Sequence, residues 1–175
     1  MVFRSSQFMS AALGVLILSS CQTAPSPSPG TRVNWPGVPF KTVRAYRYDY
    51  TAEARSSFWA NGRMHQGVLD PKGVKLSEAQ VKRLLTDITV SQPAQERSSC
   101  YKPHHAFMFF DARDRVVAVF EMCFGCNHFL ATPPGVPVHV DNTDLYRLTD
   151  ELGLPLGNGN QFYAEVCRGG VKSHR

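Results

Sequence analysis

The sequence predicts a single α+β domain in which one or two helices pack on an antiparallel sheet. Two apolar segments flank a short polar turn, and two further segments combine helical periodicity with capping residues. The chain has 175 residues, of which 43% are hydrophobic and 19% charged. That composition suits a globular domain, and the length allows one core of ordinary size. The domain is expected over residues 40–170, followed by a short basic tail at 171–175.

Residues 106–122 carry the strongest strand signal. Ala106–Phe110 and Val116–Met122 are apolar on both faces, and the segment between them, Asp111–Arg115, is polar. Strands that are apolar on both faces lie inside a sheet covered on both sides, and a short polar turn joins antiparallel neighbours. The sequence therefore predicts a central β-hairpin.

A helix is predicted over residues 78–88. Ser77 and Gln80 have the spacing of a capping box, and Leu76 can pack on Val81 as a hydrophobic staple. Apolar residues then recur with helical spacing at Val81, Leu84, Leu85 and Ile88. This apolar stripe is expected to face the sheet.

A second helix is predicted over residues 143–152. Asp141 or Asn142 can cap its start, and Gly153 ends it. The residues expected to face inward are Leu145, Leu148 and Leu152. Two further strands are predicted, at Lys41–Tyr50 and at Gln161–Cys167.

The strand at Lys41–Tyr50 places tyrosines on one face. Tyr46, Tyr48 and Tyr50 alternate with Val43 and Ala45. A tyrosine face of this kind packs within a sheet core or forms a docking surface for a partner protein. Both interpretations stay open at the level of sequence, and the sheet core is the favoured one.

The N-terminus has the architecture of an export signal. Arg4 precedes an apolar run, Met9–Leu18, and the small residues Ser19 and Ser20 follow it before Cys21. The run is too short to span a bilayer, which takes about 20 apolar residues. Leu18-Ser19-Ser20-Cys21 resembles the lipobox of bacterial lipoproteins at all four positions.

The lipobox resemblance implies that residues 1–20 are removed and that Cys21 is acylated. Residues 21–39 would then be the lipidated cysteine and a tether rich in proline and serine. The implied partner is the lipid bilayer, bound through the acylated Cys21, with the domain in the bacterial cell envelope. Gln22, rather than Asp, follows the cysteine, which favours the outer membrane facing the periplasm.

The remaining four cysteines are Cys100, Cys123, Cys126 and Cys167. If Asp111 pairs with Val116, the hairpin places His104 opposite Cys123. If the register slips by one residue, His105 shares the face of Cys123 instead. Cys100, Cys126 and one of these histidines are therefore expected to converge at the open end of the hairpin, with Cys167, His128 and Glu121 as further candidates.

Three kinds of chemistry suit this Cys/His cluster. Structural disulfides fit an even number of thiols in an oxidising compartment. Zinc is the alternative cofactor, because Cys123 and Cys126 have the two-residue spacing of a tetrahedral site. Thiol–disulfide exchange at the same two cysteines is the third, although the residues after Cys126 cannot form the long helix of a thioredoxin-like site. Covalent haem is the fourth and least favoured interpretation, because His128 lies one residue too far from Cys126 for the C-x-x-C-H motif.

Residues 70–155 also resemble a group of uncharacterised bacterial proteins. The resemblance rests on the run from Cys100 to Asp111, on Cys-Phe-Gly-Cys at Cys123–Cys126 and on the capped helix before them. It implies no known activity. No hydrolase, zinc-protease, P-loop or dinucleotide motif occurs in the chain.

The sequence thus predicts a membrane-anchored envelope lipoprotein that is not an enzyme and whose Cys/His cluster is structural. A periplasmic redox or metal-handling protein is the first alternative, and an envelope assembly adaptor is the second. The formal net charge of +5 is spread along the chain without a basic cluster, so a nucleic-acid partner is not expected. No protein partner is identified by the sequence.

Overall fold

The structure is a computed structural model, and it describes residues 27–48, 57–97, 101, 103–154 and 156. In chain order the elements are β1 Thr42–Arg47, β2 Trp59–Ala60, β3 Arg63–Met64, β4 Val74–Lys75, α1 Glu78–Thr89, β5 His105–Phe110, β6 Val116–Cys123, β7 His128–Thr132 and α2 Asn142–Glu151. A five-stranded antiparallel sheet has the strand order β4-β1-β5-β6-β7, and β2 and β3 form a separate two-stranded sheet. Together with the two helices, this arrangement confirms the predicted α+β fold.

Several predicted features lie outside the described residues. They are the signal segment at 1–20, Cys21, Tyr50, Cys100, the strand at Gln161–Cys167 and the tail at 171–175. Within the described ranges, neither helix has the length and apolar character needed to cross a bilayer.

The central hairpin forms as predicted, but its turn differs from the expected pairing of Asp111 with Val116. Phe110 pairs with Val116, and the register shifts at a bulge before Phe109 pairs with Ala118. The Asp111 side chain accepts hydrogen bonds from the amides of Arg113 and Arg115 instead. Asp111 therefore organises the turn. Beyond the bulge, the two strands have the same register that a pairing of Asp111 with Val116 would have given.

Both faces of the sheet are covered. One face packs on the helices through Phe107, Phe109 and Phe120, together with Leu84 and Leu145. The opposite face forms a second core, which consists of Tyr46, Tyr48, Phe58, Ala106, Met108, Phe110 and Val119. Burial on both sides explains why the two hairpin strands are apolar throughout.

The caps of α1 follow the prediction closely. The Ser77 side chain accepts a hydrogen bond from the Gln80 amide, and the Gln80 side chain accepts one from the Ser77 amide. Leu84 and Ile88 are fully buried, while Val81 and Leu85 pack at the edge of the helix-side core. The capping box and apolar stripe therefore orient α1 on the sheet as the sequence indicates.

An arginine on α1 joins the two helices. Arg83 binds both carboxylate oxygens of Asp144, at 2.6 Å and 2.9 Å, and it also contacts Glu151 at 2.6 Å. The hydrogen bonds from Arg83 hold the pKa of Asp144 below its usual range. Asp87 lies in the same helix interface and is buried, and this burial together with the charges of Asp144 and Asp141 raises its pKa to about 8.

The segment before β1 packs on the domain. The amide of Gly30 donates to the carbonyl of Ser91, and the Trp35 ring is only 5% exposed within the helix-side core. The Trp35 indole N–H donates to the carbonyl of Pro133 at 2.7 Å. The folded region therefore begins before the predicted boundary at residue 40, because a buried indole fixes the chain to the core.

Candidate functional site

The predicted cluster lies where β6 turns into β7. A 3-10 turn, Phe124–Cys126, follows β6, and Asn127 closes it with a left-handed φ of 49°. β7 then begins at His128, which pairs directly with Cys123. The Cys-Phe-Gly-Cys-Asn stretch is therefore a strand-to-strand connection, and β7 is a strand that the sequence analysis did not predict.

The two described cysteines differ in chemical state. Cys126 is disulfide-bonded, and it is 4% exposed. Cys123 lies outside that bond, carries a thiol and is 1% exposed. Cys100 and Cys167, the other predicted cysteines of the cluster, lie outside the described residues.

The histidines of the hairpin follow the first predicted register and not the slipped one. His105 pairs with Met122, whose side chain belongs to the helix-side core, so His105 lies on the sheet face opposite Cys123. Its ring lies 5.5 Å from the ring of Phe124. His104 precedes β5, and its amide donates to the carbonyl of Met122. His104 thus lies beside the end of β6, and His128 pairs directly with Cys123 from β7.

Glu121 lies two residues before Cys123, on the same face. It is 3% exposed and pairs with Ala106 across the hairpin. Its carboxylate accepts hydrogen bonds from the Ser57 hydroxyl at 2.7 Å and from the Tyr101 hydroxyl at 3.2 Å. The backbone amides of Phe58 and Trp59 also donate to it.

The four donors compensate for burial of the carboxylate only in part. Burial raises the pKa of Glu121, and the hydrogen bonds from Ser57, Trp59 and the other donors oppose that rise. Within the described ranges Glu121 forms no ion pair. Its carboxylate thus connects the chain around Ser57 to the centre of the sheet through neutral donors.

Tyr101 joins Glu121 to the end of the hairpin. Its ring makes an edge contact with the His128 ring at 5.0 Å between centroids. Burial and the neighbouring charge of Glu121 raise the pKa of Tyr101, so its hydroxyl stays protonated and donates to Glu121. The Nδ1 atom of His128 is buried and has no hydrogen-bond partner among the described residues.

The described residues of the cluster do not provide the ligands of a tetrahedral zinc site. A thiolate ligand needs an unbonded sulfur, and the sulfur of Cys126 is in a disulfide. The two oxygens of Glu121 already accept from Ser57 and Tyr101. Across the described ranges no group of three histidine, cysteine or acidic residues is arranged to hold a metal ion.

The partners of Glu121 were missed at the sequence level. Glu121 stands out as the one charge in an apolar strand, and a buried carboxylate requires donors. Tyr101 follows Cys100 in the chain, but its spacing gives no sign of a contact with Glu121, and Ser57 is distant in sequence.

Comparison of the chain with protein-family models, with curated proteins and with solved structures finds no match.

Proposed function

We propose that this protein is a lipid-anchored lipoprotein of the bacterial envelope, whose α+β domain is not an enzyme and is stabilised by a disulfide at its Cys/His cluster. The disulfide at Cys126 carries the proposal, because such bonds persist in the oxidising compartment to which an export signal leads. The lipobox-like residues Leu18–Cys21 supply the anchor. Acylation of Cys21 would hold the domain on the bilayer, and Gln22 favours the outer membrane.

Cys100 is the proposed partner of Cys126. The Asn127 side chain donates to the Glu96 carbonyl at 2.7 Å, and Tyr101 packs on His128. Both flanks of residues 98–100 are thus held against the residues that directly follow Cys126. A disulfide closing a loop of this length contributes about 3–4 kcal/mol to the free energy of unfolding.

Burial supports a structural role over thiol–disulfide exchange. Exchange requires a thiolate to reach a sulfur of another molecule, and the most reactive cysteines are partly exposed. Cys123 and Cys126 are 1% and 4% exposed, respectively. The redox alternative would need this end of the hairpin to open first.

The adaptor alternative was based on an exposed tyrosine face, and the two described tyrosines of that face are buried. Tyr46 and Tyr48 are 1% and 2% exposed and belong to the second core. They support the sheet rather than present a docking face. A partner would have to bind elsewhere on the domain.

The anchor is tested by metabolic labelling of the full chain in an exporting Gram-negative host. We expect an alkyne-tagged palmitate analogue to label the wild type and the control variant Cys167→Ser, but not Cys21→Ser. Membrane fractionation should move Cys21→Ser out of the outer-membrane fraction. Equal labelling of Cys21→Ser, or its retention in that fraction, would contradict the proposal.

The disulfide is tested on the same purified protein. Thiols are alkylated in denaturant before and after reduction, and the peptides are identified by mass spectrometry. We expect Cys123 to be alkylated before reduction, and Cys126 to be recovered in a peptide linked to Cys100. Alkylation of Cys126 before reduction, or one zinc ion bound per chain, would instead favour the metal-handling alternative.

A further inference from the structure

A groove runs between α1 and the start of β1, near the β4 edge of the sheet, whereas β7 forms the opposite edge. Its volume is about 820 Å³, and it is partly open to solvent. Apolar side chains line its floor, namely Phe40, Val43, Leu76, Val81 and Leu85. Val43 and Leu76 are buried, and the other three pack partly exposed at the edge of the core. The groove therefore offers apolar surface that no described residue covers.

Four cations surround this floor. Arg32, Lys41, Lys75 and Lys82 line the groove, and Glu78 is the one acid among the lining residues. None of the four cations forms an ion pair with a described residue. The Arg32 guanidinium binds only the hydroxyls of Thr86 and Thr89. The groove thus combines an apolar floor with a rim of unmatched positive charge.

Two of the cations, Arg32 and Lys75, lie near opposite ends of α1. Arg32 contacts the last turn of α1 at Thr86, whereas Lys75 lies just before the first turn, which begins at Glu78. Residues 78 and 86 are separated along the helix axis by about 12 Å, at about 1.5 Å per residue. A ligand that matches these charges must therefore carry negative groups along its length.

We propose that the groove binds an extended acidic peptide of a partner protein, in which apolar side chains alternate with carboxylates. About four extended residues cover this distance of about 12 Å along α1. Alternation places apolar side chains on the floor and carboxylates beside the cations. A lipid with a single anionic headgroup would match the cations at one end of α1 only, and a flat bilayer surface does not enter a concave groove. The proposal does not depend on acylation of Cys21.

The test uses titration calorimetry of the full-length protein with acetyl-Glu-Leu-Glu-Leu-Glu-amide. We expect binding that weakens with added salt and that falls roughly fivefold or more in Lys41→Gln/Lys75→Gln. The control Lys72→Gln/Arg113→Gln removes the same net charge from exposed positions outside the groove, and it should bind like the wild type.

Three results would overturn the proposal. The first is that the wild type does not bind the peptide. The second is that both double variants lower the affinity for the peptide equally, which indicates a general charge effect. Alternatively, vesicles containing phosphatidylglycerol bind in a manner that depends on Lys41 and Lys75 while the peptide does not, which makes the ligand a lipid. All four substituted residues are exposed, and thermal unfolding of each variant checks that the fold is retained.

Discussion

The hydroxyl of Ser57 donates a hydrogen bond of 2.7 Å to the buried carboxylate of Glu121, across 64 positions of sequence. Tyr101 donates to the other oxygen of the same carboxylate. Glu121 thus fixes two distant segments to the centre of β6. Because it lies two residues before Cys123, it also fixes the end of the hairpin at which the cysteines lie.

Replacing Glu121 by alanine should lower the free energy of unfolding by roughly 3 kcal/mol, because two part-buried hydroxyls and two backbone amides lose their acceptor. Glu121→Gln should cost less, since its amide oxygen still accepts hydrogen bonds while its NH₂ group faces a donor. Urea unfolding measures both. The control Glu96→Ala alters an exposed side chain and should change stability by under about 0.5 kcal/mol. A stable Glu121→Ala variant would show that these hydrogen bonds contribute little.

The pH dependence of stability should contain a contribution from Asp87. Its folded-state pKa of about 8 exceeds the ordinary value of 3.8, so the folded state retains a proton that the unfolded chain has lost. The stability from this group is fully present below about pH 4 and is lost as the pH rises through 8, with a slope of up to about 1.4 kcal/mol per pH unit. The charges that face Asp87 are those of Asp144, Asp141 and Arg83.

Asp87→Asn tests this contribution, because asparagine can still donate to Asp144 and does not titrate. The stability of the wild type relative to Asp87→Asn should fall between pH 5 and pH 8 when both are unfolded with urea. Asp150→Asn, at an exposed position of α2, should follow the wild type throughout. Parallel curves for the wild type and Asp87→Asn would mean that Asp87 keeps an ordinary pKa.

The sequence predicted those parts of the fold that local interactions determine. The capping box at Ser77 and Gln80 and the stripe through Leu84 and Ile88 involve neighbours in the chain, and they form as expected. The central hairpin was predictable because its strands are apolar on both faces. Its register past the bulge matches the first alternative, although Asp111 bonds within the turn instead of pairing with Val116.

The remaining features depend on contacts between distant segments. The sequence of β7 has no clear strand pattern and precedes two prolines. The segment forms a strand because it pairs with β6. The burial of Trp35 and the donors to Glu121 likewise come from residues that no local pattern connects. For the Cys/His cluster, the sequence left two hairpin registers open, and the pairing of His105 with Met122 decides between them.

The Arg83 link should contribute measurably to the packing of α1 on α2. Arg83→Ala removes a two-oxygen contact with Asp144 and a contact with Glu151, at a side chain that is 29% exposed. We expect a loss of about 1–2 kcal/mol in urea unfolding, and only partial recovery with lysine, which lacks the planar pair of donors. Arg147 lies 4.0 Å from Asp144 and is 60% exposed, so Arg147→Ala should have little effect. Equal effects of the two alanine variants would contradict a specific role for Arg83.

Gly73 provides the sharpest test of the packing between the turn before β4 and the second core. Its φ of +62° is unfavourable for other residues, and an added Cβ would lie 2.6 Å from the Tyr46 ring and 2.9 Å from the Ala45 carbonyl. Gly73→Ala should therefore cost roughly 3 kcal/mol or more, from backbone strain and from displacement of a buried tyrosine. Gly62 has a similar φ of +74° but nothing within 4 Å of the added Cβ, so Gly62→Ala isolates the strain at about 1 kcal/mol. Thermal and urea unfolding of the two variants separate these contributions. Equal losses in the free energy of unfolding would show that displacing the Tyr46 ring costs no stability.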